Sequence, residues 1–544
     1  MKHFTGTGLL TLTAFRRDRV QLSVWVLVLA ALTTGITGAV TVVLETEQDI
    51  AEFTELYVVN PTMRLFGLAS GVSEGGFTMT RAGIWMMILA ALMSFLAVTR
   101  HTRQDEEDRR TELFRSTVVG RHASLASGII VAVSASVALG VLSSLGFRVY
   151  GLSAEGAIAA GASIGAMGVV FAGVGAIAAQ LSGSARGANG ISAIVLGASY
   201  LLAGMGNMFG RADEAAYRVE SAWFAWLSPV GWVQQVRPFH DNNWWVFILP
   251  LGFFAVATVV AFVLESRRDL GRGMLAERPG PADAPWTLLS PLGLAWRLQK
   301  GLLIGWAIGL GALGIVVGAV AEEFQGVLED AEGVGDLITR FGGTELLLDA
   351  YFSTLVGLVG SLVAIYALQV LLRMRGEEEA GLADAVLATT VSRTRWTLSF
   401  IGVAVAGTLV LLLVTGLTVG VASGIVMGDF GGQVGSLLQA SLVQAPATLV
   451  IAGAVVAAFG LLPRRATVLA WAVFAIALML GPVVGEILEL PQWMRDLSPF
   501  THTPLAMVED VALAPLIAMG AIAVALGMAG VASFRRRDLQ LHGA

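Results

Sequence analysis

The side chains that most often carry out chemistry in proteins are scarce or poorly spaced in this 544-residue sequence. It has no cysteine, which excludes disulfides, thiolate metal sites and cysteine nucleophiles. Its six histidines have no metal-ligand spacing, so we predict no metal site. Its only lysines, Lys2 and Lys300, do not follow a glycine, which excludes the lysine-containing phosphate-binding loop of an ATPase. We therefore predict that the chain is not an enzyme and has no catalytic residues and no cofactor of its own.

Charged side chains do recur in a fixed pattern in two segments, 101–122 and 373–395. Each has an arginine, a Glu-Glu pair, an apolar stretch, a Thr-x-Val sequence and a second arginine, and matched residues lie 272 positions apart. Acidic residues at the start of a short helix followed by apolar residues suit a docking helix. A pair of loops that merely keep positive charge on one side of a membrane is the alternative. The predicted docking residues are Glu106, Glu107, Glu112, Leu113, Phe114, Val119, Arg121, Glu378, Glu379, Asp384, Val386, Leu387, Val391 and Arg393.

The rest of the chain consists mainly of apolar segments that are predicted to span a membrane. It is 56% hydrophobic and 14% charged, and its apolar residues come in runs of about 20, the length that crosses a bilayer. The sequence therefore predicts an all-α polytopic membrane protein. Basic residues concentrate on the side of both termini, which places that side in the cytosol. The predicted spans are 20–43, 83–99, 123–146, 156–179, 188–208, 244–264, 301–321, 352–372, 398–424, 437–461, 468–485 and 512–533.

The twelve spans form two tandem copies of one six-helix unit. Besides the segments above, Trp223–Pro229 matches Trp493–Pro499, and Arg268–Leu270 matches Arg537–Leu539 at an offset of 269. We predict a first half at 1–265, a cytosolic linker rich in Pro and Gly at 266–284, and a second half at 285–544. An even number of spans in each half predicts a pseudo-two-fold axis along the membrane normal.

The residues within the predicted spans indicate which energy source could drive transport. As drawn, they hold no ionisable residue, although proton-driven carriers normally place such residues inside the membrane. Energy is therefore expected from a separate ATPase subunit. An ion-coupled secondary transporter, which also commonly has two parallel six-helix repeats, is the alternative. A membrane scaffold or enzyme has no supporting motif, and a net charge of −6 gives no indication of nucleic-acid binding.

The pattern between the second and third spans resembles the type-2 class of ABC export permeases. The duplicated twelve-span form without an ATPase domain resembles actinobacterial polyketide-antibiotic exporters of the tetronasin type. The resemblance implies an exporter of hydrophobic or amphipathic compounds in the bacterial cytoplasmic membrane, as in multidrug efflux and antibiotic resistance. It also implies two copies of an ABC ATP-binding subunit, which would carry ATP and Mg. It further implies amphipathic elbow helices, matched here by 8–19 and 286–299, and short membrane-dipping helices before each sixth span.

The same resemblance implies that the second and fifth spans of each half face the central axis. Flexible, polarizable Met and aromatic side chains on such spans suit a promiscuous apolar surface. Packing against other helices or lipid is the alternative for each of them. The candidates for the substrate path are Met86, Met87, Met93, Phe95, Tyr200, Met205, Asn207, Phe352, Tyr366, Trp471, Phe474 and Met479.

Overall fold

The protein is an all-α polytopic membrane protein. Its computed structural model describes residues 2–44, 46–61, 63–69, 71–111, 118–213, 215, 217–269, 271–275, 283–319, 344–482, 485, 490–508 and 511–539. The chain forms two compact units, Met1–Gly280 and Pro281–Ala544. The division falls within the segment predicted as a linker, 266–284. The docking residues Glu112, Leu113 and Phe114 lie outside the described residues.

The first unit is built from long apolar helices joined by short outer and inner segments. A π-helical turn at Met79–Gly83 and another at Arg100–Gln104 make Glu74–Glu107 one continuous helical segment. Two short strands, Arg211–Asp213 and Arg218–Glu220, pair antiparallel with Ala212 opposite Val219. The helices are α1 (Thr7–Val43), α2 (Glu47–Val59), α3 (Glu74–Thr78), α4 (Ile84–Thr99), α5 (Asp105–Glu107), α6 (Ala123–Val149), α7 (Ala154–Leu181), α8 (Ala185–Met208), α9 (Pro229–Gln234) and α10 (Ile248–Arg267).

The second unit has the same general order of long helices. Its fourth apolar segment, Phe430–Leu461, is interrupted at Val443 and Gln444, just before Pro446 in the first turn of the next helix. Proline there removes a backbone donor and so favours a helix start over continuation. The helices are α11 (Pro291–Ala319), α12 (Thr344–Glu379), α13 (Leu382–Leu387), α14 (Arg393–Met427), α15 (Phe430–Leu442), α16 (Ala445–Leu461), α17 (Ala466–Met479), α18 (Gln492–Arg495) and α19 (Leu513–Arg536).

The number of long helices differs from the prediction of twelve spans. Among the described residues, eleven helical segments are long and apolar enough to cross a membrane. The exception is the predicted span 468–485, where α17 has only 14 residues. At 1.5 Å per residue it measures about 21 Å, less than the roughly 30 Å of a hydrocarbon core. Its counterpart in the first unit, α8, has 24 residues.

The elbow helices were predicted as interfacial helices that precede the first span of each half. Instead, α1 runs without interruption for 37 residues from Thr7, so residues 8–19 continue directly into the span. In the second unit, a short 3-10 helix at Trp286–Leu289 precedes α11, which is likewise continuous from Pro291. Residues 11–19 contain no glycine or proline, which explains why α1 continues into the span, whereas the second lead-in is broken at Ser290, before Pro291.

Short helices precede the sixth span of each unit, at the repeated Leu-Ser-Pro sequence. In the first unit Ser228 caps α9 by accepting a hydrogen bond from the amide of Gly231 at 2.9 Å. In the second unit Ser498 accepts from the amide of Phe500 at 3.3 Å and donates to the carbonyl of Ala477 at 2.7 Å. The repeated serine thus ends one segment and starts the next in both halves.

Close helix packing in the first unit depends on glycine. α6 and α7 cross where Gly161 faces Gly140, and a β-carbon added at Gly161 would lie 2.2 Å from the Gly140 carbonyl oxygen. A β-carbon added at Gly165 would lie 3.0 Å from the carbonyl of Ser136. The Gly161-x-x-x-Gly165 pair therefore permits a close approach of α6 and α7.

We expect Gly161→Ala to destabilise the first unit, because the new methyl group meets backbone atoms that cannot rotate away. Overpacking of this kind costs about 1–3 kcal/mol. Thermal unfolding of the purified protein in detergent should show a lower midpoint. Gly190→Ala is the matched control, since nothing lies within 4 Å of a β-carbon added there. Equal midpoints for the two variants would contradict a tight α6–α7 contact.

Candidate functional site

The segment 101–122 is anchored by a cluster of four charged residues, the first arginine–glutamate cluster: Arg103, Glu106, Arg121 and Arg268. The Glu106 carboxylate accepts from Nη1 of Arg103 at 2.8 Å and from Nη1 of Arg268 at 2.9 Å, and Nη2 of Arg268 contacts its other oxygen. Arg121 donates to the carbonyls of Glu265 and Arg268 at 2.8 and 3.2 Å. The Glu106 side chain is only 8% exposed. This cluster joins the ends of α4 and α10 to the start of α6.

The second arginine–glutamate cluster consists of Arg375, Glu378, Arg393 and Arg537. The Glu378 carboxylate accepts from Nη1 of Arg375 at 3.1 Å, and from Nη1 and Nη2 of Arg537 at 2.6 and 2.9 Å. Arg393 donates to the carbonyl of Phe534 at 3.4 Å and also to that of Arg537. Glu378 is 1% exposed. A bidentate guanidinium–carboxylate pair is among the strongest hydrogen-bonded arrangements in proteins.

The two clusters are equivalent residue for residue. Arg103, Glu106 and Arg121 are related to Arg375, Glu378 and Arg393 by the offset of 272, and Arg268 to Arg537 by the offset of 269. Two separate repeated blocks of the sequence therefore meet in space in each unit. Because a buried carboxylate without a partner is very costly, the arginines and the glutamate must be kept together. This requirement is a physical reason for the repeat, independent of any partner protein.

The clusters correct the expected surroundings of two predicted docking residues. Glu106 and Glu378 were expected at the start of short exposed helices, but Glu378 lies in the last turn of the 36-residue α12. Both carboxylates face arginines of their own unit, so neither is an exposed contact. Of the second acid in each pair, Glu107 accepts from the amide of Ala185 at 3.0 Å at the start of α8. Glu379 pairs with Arg375 at 2.8 Å and is 38% exposed.

The predicted apolar docking residues that the structure describes are only partly exposed for contact with a partner protein. In the second unit the predicted short helix is present as α13, with Asp384 in its first turn. Val386, Leu387 and Val391 are half-buried and pack against the core of their unit. In the first unit, Val119 lies beside Gly6, and the following Gly120 amide donates to the carbonyl of Thr5 at 2.9 Å. Leu382, which begins α13, is 54% exposed.

A buried ionic group was missed because the first span was drawn from residue 20. α1 already includes Asp18, which is 2% exposed and lies within a candidate membrane span. Its carboxylate is 3.1 Å from Nη2 of Arg100 and 2.8 Å from Nε2 of His101. Arg17, the residue that precedes Asp18, forms an ion pair with Asp105 at 2.6 Å. The predicted span, 20–43, contains no ionisable residue, but the helix that carries it holds this buried ionic group next to the span.

Most candidates for the substrate path lie inside their own unit. The side chains of Met86, Met87, Met93, Phe95, Phe352, Tyr366 and Phe474 are buried in the cores. Asn207 is also buried, donating to Oε1 of Gln234 at 3.1 Å and accepting from the hydroxyl of Ser221 at 2.7 Å. Trp471, Met205 and Met479 are exposed, and Tyr200 is half-buried beside Trp85. The structure thus separates a buried packing group from four side chains that solvent, lipid or a ligand can reach.

Comparison with known proteins shows which family the chain belongs to. The sequence profile of the family described as "Multidrug efflux system permease Rv1217c, C-terminal domain" matches residues 10–264 and 288–535. The chain belongs to this family. It is also 38% identical over 542 residues to the multidrug efflux system permease protein Rv1217c of Mycobacterium tuberculosis, covering 99% of this chain and 96% of that relative. The matched stretches include Arg103, Glu106 and Arg121 of the first cluster and Arg375, Glu378 and Arg393 of the second, whereas Arg268 and Arg537 lie just beyond the end of each stretch.

We expect Glu378→Ala to lower the stability of the permease itself, because it removes the buried carboxylate that pairs with buried Arg375 and half-buried Arg537. Removing one partner of a buried ion pair costs about 3–5 kcal/mol. Glu379→Ala removes a partly exposed pair and should cost no more than about 1 kcal/mol. Thermal unfolding of the two purified variants in detergent, without any partner protein, compares them. A midpoint for Glu378→Ala as high as that of Glu379→Ala would show that the cluster is not a structural anchor.

Proposed function

We propose that this chain is the membrane-spanning permease subunit of an exporter for hydrophobic or amphipathic compounds. Membership of the multidrug efflux permease family over nearly the whole chain carries this proposal. The eleven apolar helices of the described chain fit a membrane subunit. We further propose that it lies in the bacterial cytoplasmic membrane with both termini in the cytosol, because the basic segments gather on that side.

Energy is proposed to come from two copies of a separate ABC ATP-binding subunit, which bind ATP and Mg. The sequence contains no lysine in a phosphate-binding loop, so hydrolysis must be carried out by another chain. One copy would dock on the segment 101–122 and the other on 373–395. In each segment the arginine–glutamate cluster ties the docking surface to the ends of three long helices. A movement of the docked ATP-binding subunit would therefore be transmitted directly to the membrane helices, because the segment is not connected to them through a flexible loop alone.

Within the docking segment of the second unit, contact is proposed through the exposed face of α13. Leu382 begins this helix and is exposed, while Leu387 packs inward against the core. An exposed leucine on a short cytosolic helix can insert into an apolar groove of a partner. The substrate path is proposed to include the accessible side chains Tyr200, Met205, Trp471 and Met479.

An ion-coupled secondary transporter is the second candidate, and one observation favours it. The Asp18–Arg100–His101 group is buried in the first unit, and buried ionisable groups in membrane helices often relay protons. Transport assayed in vesicles separates the two candidates. Export that requires ATP and the ATP-binding subunit, and that survives collapse of the proton gradient, supports the first. Export driven by the gradient alone supports the second.

Stoichiometry is the first prediction from the proposal. Two equivalent segments on one chain should bind two ATP-binding subunits. Native mass spectrometry of the purified complex should give two ATP-binding subunits for each permease. One ATP-binding subunit for each permease, in a complex that still transports, would refute docking on both segments.

The second prediction concerns Leu382. Replacement by Asp should weaken association with the ATP-binding subunit at least about tenfold, because burying a leucine contributes about 1.5–3 kcal/mol. Leu275→Asp is the matched control, since Leu275 is also exposed on the linker but lies outside both docking segments. Co-purification with the tagged ATP-binding subunit measures the association. Equal recovery with both variants would show that α13 is not a contact.

A further inference from the structure

A long apolar groove lies on the second unit, between the helices α12, α14, α16 and α19. Its volume is about 590 Å³. Buried Ala404 and Val456 form its floor, and the exposed side chains of Leu398 and Val524 form its rim. Because the rim is exposed, the groove is open at the side. Among the described residues that line it, Arg535 at one end is the single charged one.

The groove extends far along the last helix of the unit. Gly520 and Arg535 both line it, and 15 residues of helix separate them, which corresponds to about 22 Å. One leaflet of the hydrocarbon core is roughly 15 Å deep. Nothing lies within 4 Å of a β-carbon added at Gly520 or Gly527, so the space beside these glycines is empty. A flexible hydrocarbon chain would fit along this path.

Two arginines lie at the same end of this groove. Arg535 is in the last turn of α19, and Arg395 is in the first turn of α14. Arg395 lines an adjoining cavity that shares Leu398 with the groove. Within the described part of the chain, neither guanidinium has a hydrogen-bond or ion-pair partner. Arg537, only two residues after Arg535, instead forms an ion pair with Glu378.

The first unit fills the equivalent space with aromatic rings. At the offset of 269, Ala523 and Val531 of the groove correspond to Phe254 and Phe262. Both phenylalanines pack against the core of the first unit. The ring of Phe262 also meets that of Phe4 edge to face at 5.4 Å. The groove in the second unit therefore results from exchanging two large side chains for small ones.

The two charges are also particular to the second unit. Arg395 corresponds to Ala123 at the offset of 272, and Arg535 corresponds to Ser266 at the offset of 269. The empty volume and the two positive charges thus occur together in one half and are both missing from the other. A ligand with an apolar chain and a negatively charged head accounts for both differences at once.

We propose that this groove binds an acyl chain of an anionic phospholipid, with the headgroup phosphate beside Arg395 and Arg535. The apolar lining excludes water from the chain, and the arginines favour a headgroup of net negative charge. The bilayer itself supplies such a ligand, and the open rim lets it enter sideways. The site does not depend on the proposed docking of an ATP-binding subunit.

The test is lipid binding to the purified, delipidated permease by native mass spectrometry. Dioleoyl phosphatidylglycerol and dioleoyl phosphatidylcholine are compared because they have the same chains and differ in headgroup charge. The wild-type protein should retain phosphatidylglycerol more strongly. The charge variant combines Arg395→Ala with Arg535→Ser, and the filled variant combines Ala523→Phe with Val531→Phe, all four being the residues of the first unit.

We expect the charge variant to lose the preference for phosphatidylglycerol, by about fivefold for each arginine replaced. The filled variant should lose this bound lipid altogether. Arg536→Ser is the matched control, since Arg536 is exposed at the same helix end but does not line the groove. It should keep the wild-type preference. If the filled variant does not fold, the charge variant still decides, because its substitutions lie at exposed positions.

Three outcomes would overturn the proposal. The first is equal retention of the two lipids by the wild-type protein. The second is a charge variant that keeps the full preference for phosphatidylglycerol. The third is a filled variant that folds and retains the lipid, or that loses binding of a transported hydrophobic compound while lipid binding is unchanged. The last result would assign the groove to the exported substrate.

Discussion

A carboxylate held between two guanidinium groups is the interaction on which each unit depends. Glu106 and Glu378 are buried at the ends of their second long helices, and two arginines contact each carboxylate. The arginines come from positions far apart in the sequence, so the pairs can form only if the last helix of the unit returns to the second. The third long helix is tied in by Arg121 or Arg393 through backbone carbonyls. Three helix ends are thereby fixed at one level.

The sequence predicts the long helices and the repeat well, because both depend on signals that act locally or recur. Runs of apolar residues predict spans wherever the hydrocarbon must be crossed, and the matched blocks predict that two halves share one plan. Arg103 and Arg268 each lie in a repeated block, as do their counterparts in the second half. The sequence repeat therefore identified the residues of the clusters as two separate motifs in each half. What was missing was their contact, since nothing in a linear pattern shows that residue 106 meets residue 268. The same limit explains why Glu106 was expected to be exposed.

Other differences have equally specific causes. Asp18 was not recognised as part of the first helix because the span was defined by hydropathy, whereas the helix itself begins at Thr7. The path candidates were selected by residue type, and residue type does not distinguish a methionine that packs in a core from one at a surface. The two units share their ionic anchors but differ elsewhere. The second has a broken fourth segment and a short α17.

The first helix has a mechanical consequence that follows from its length alone. A helix of 37 residues is about 55 Å long, so roughly 25 Å of it extends beyond a 30 Å hydrocarbon core. Ion pairs from Arg17 and Asp18 fasten its lower part to the end of the second long helix. A tilt of ~5° about one end would displace the other by roughly 5 Å, enough to open or close a gap the width of a side chain.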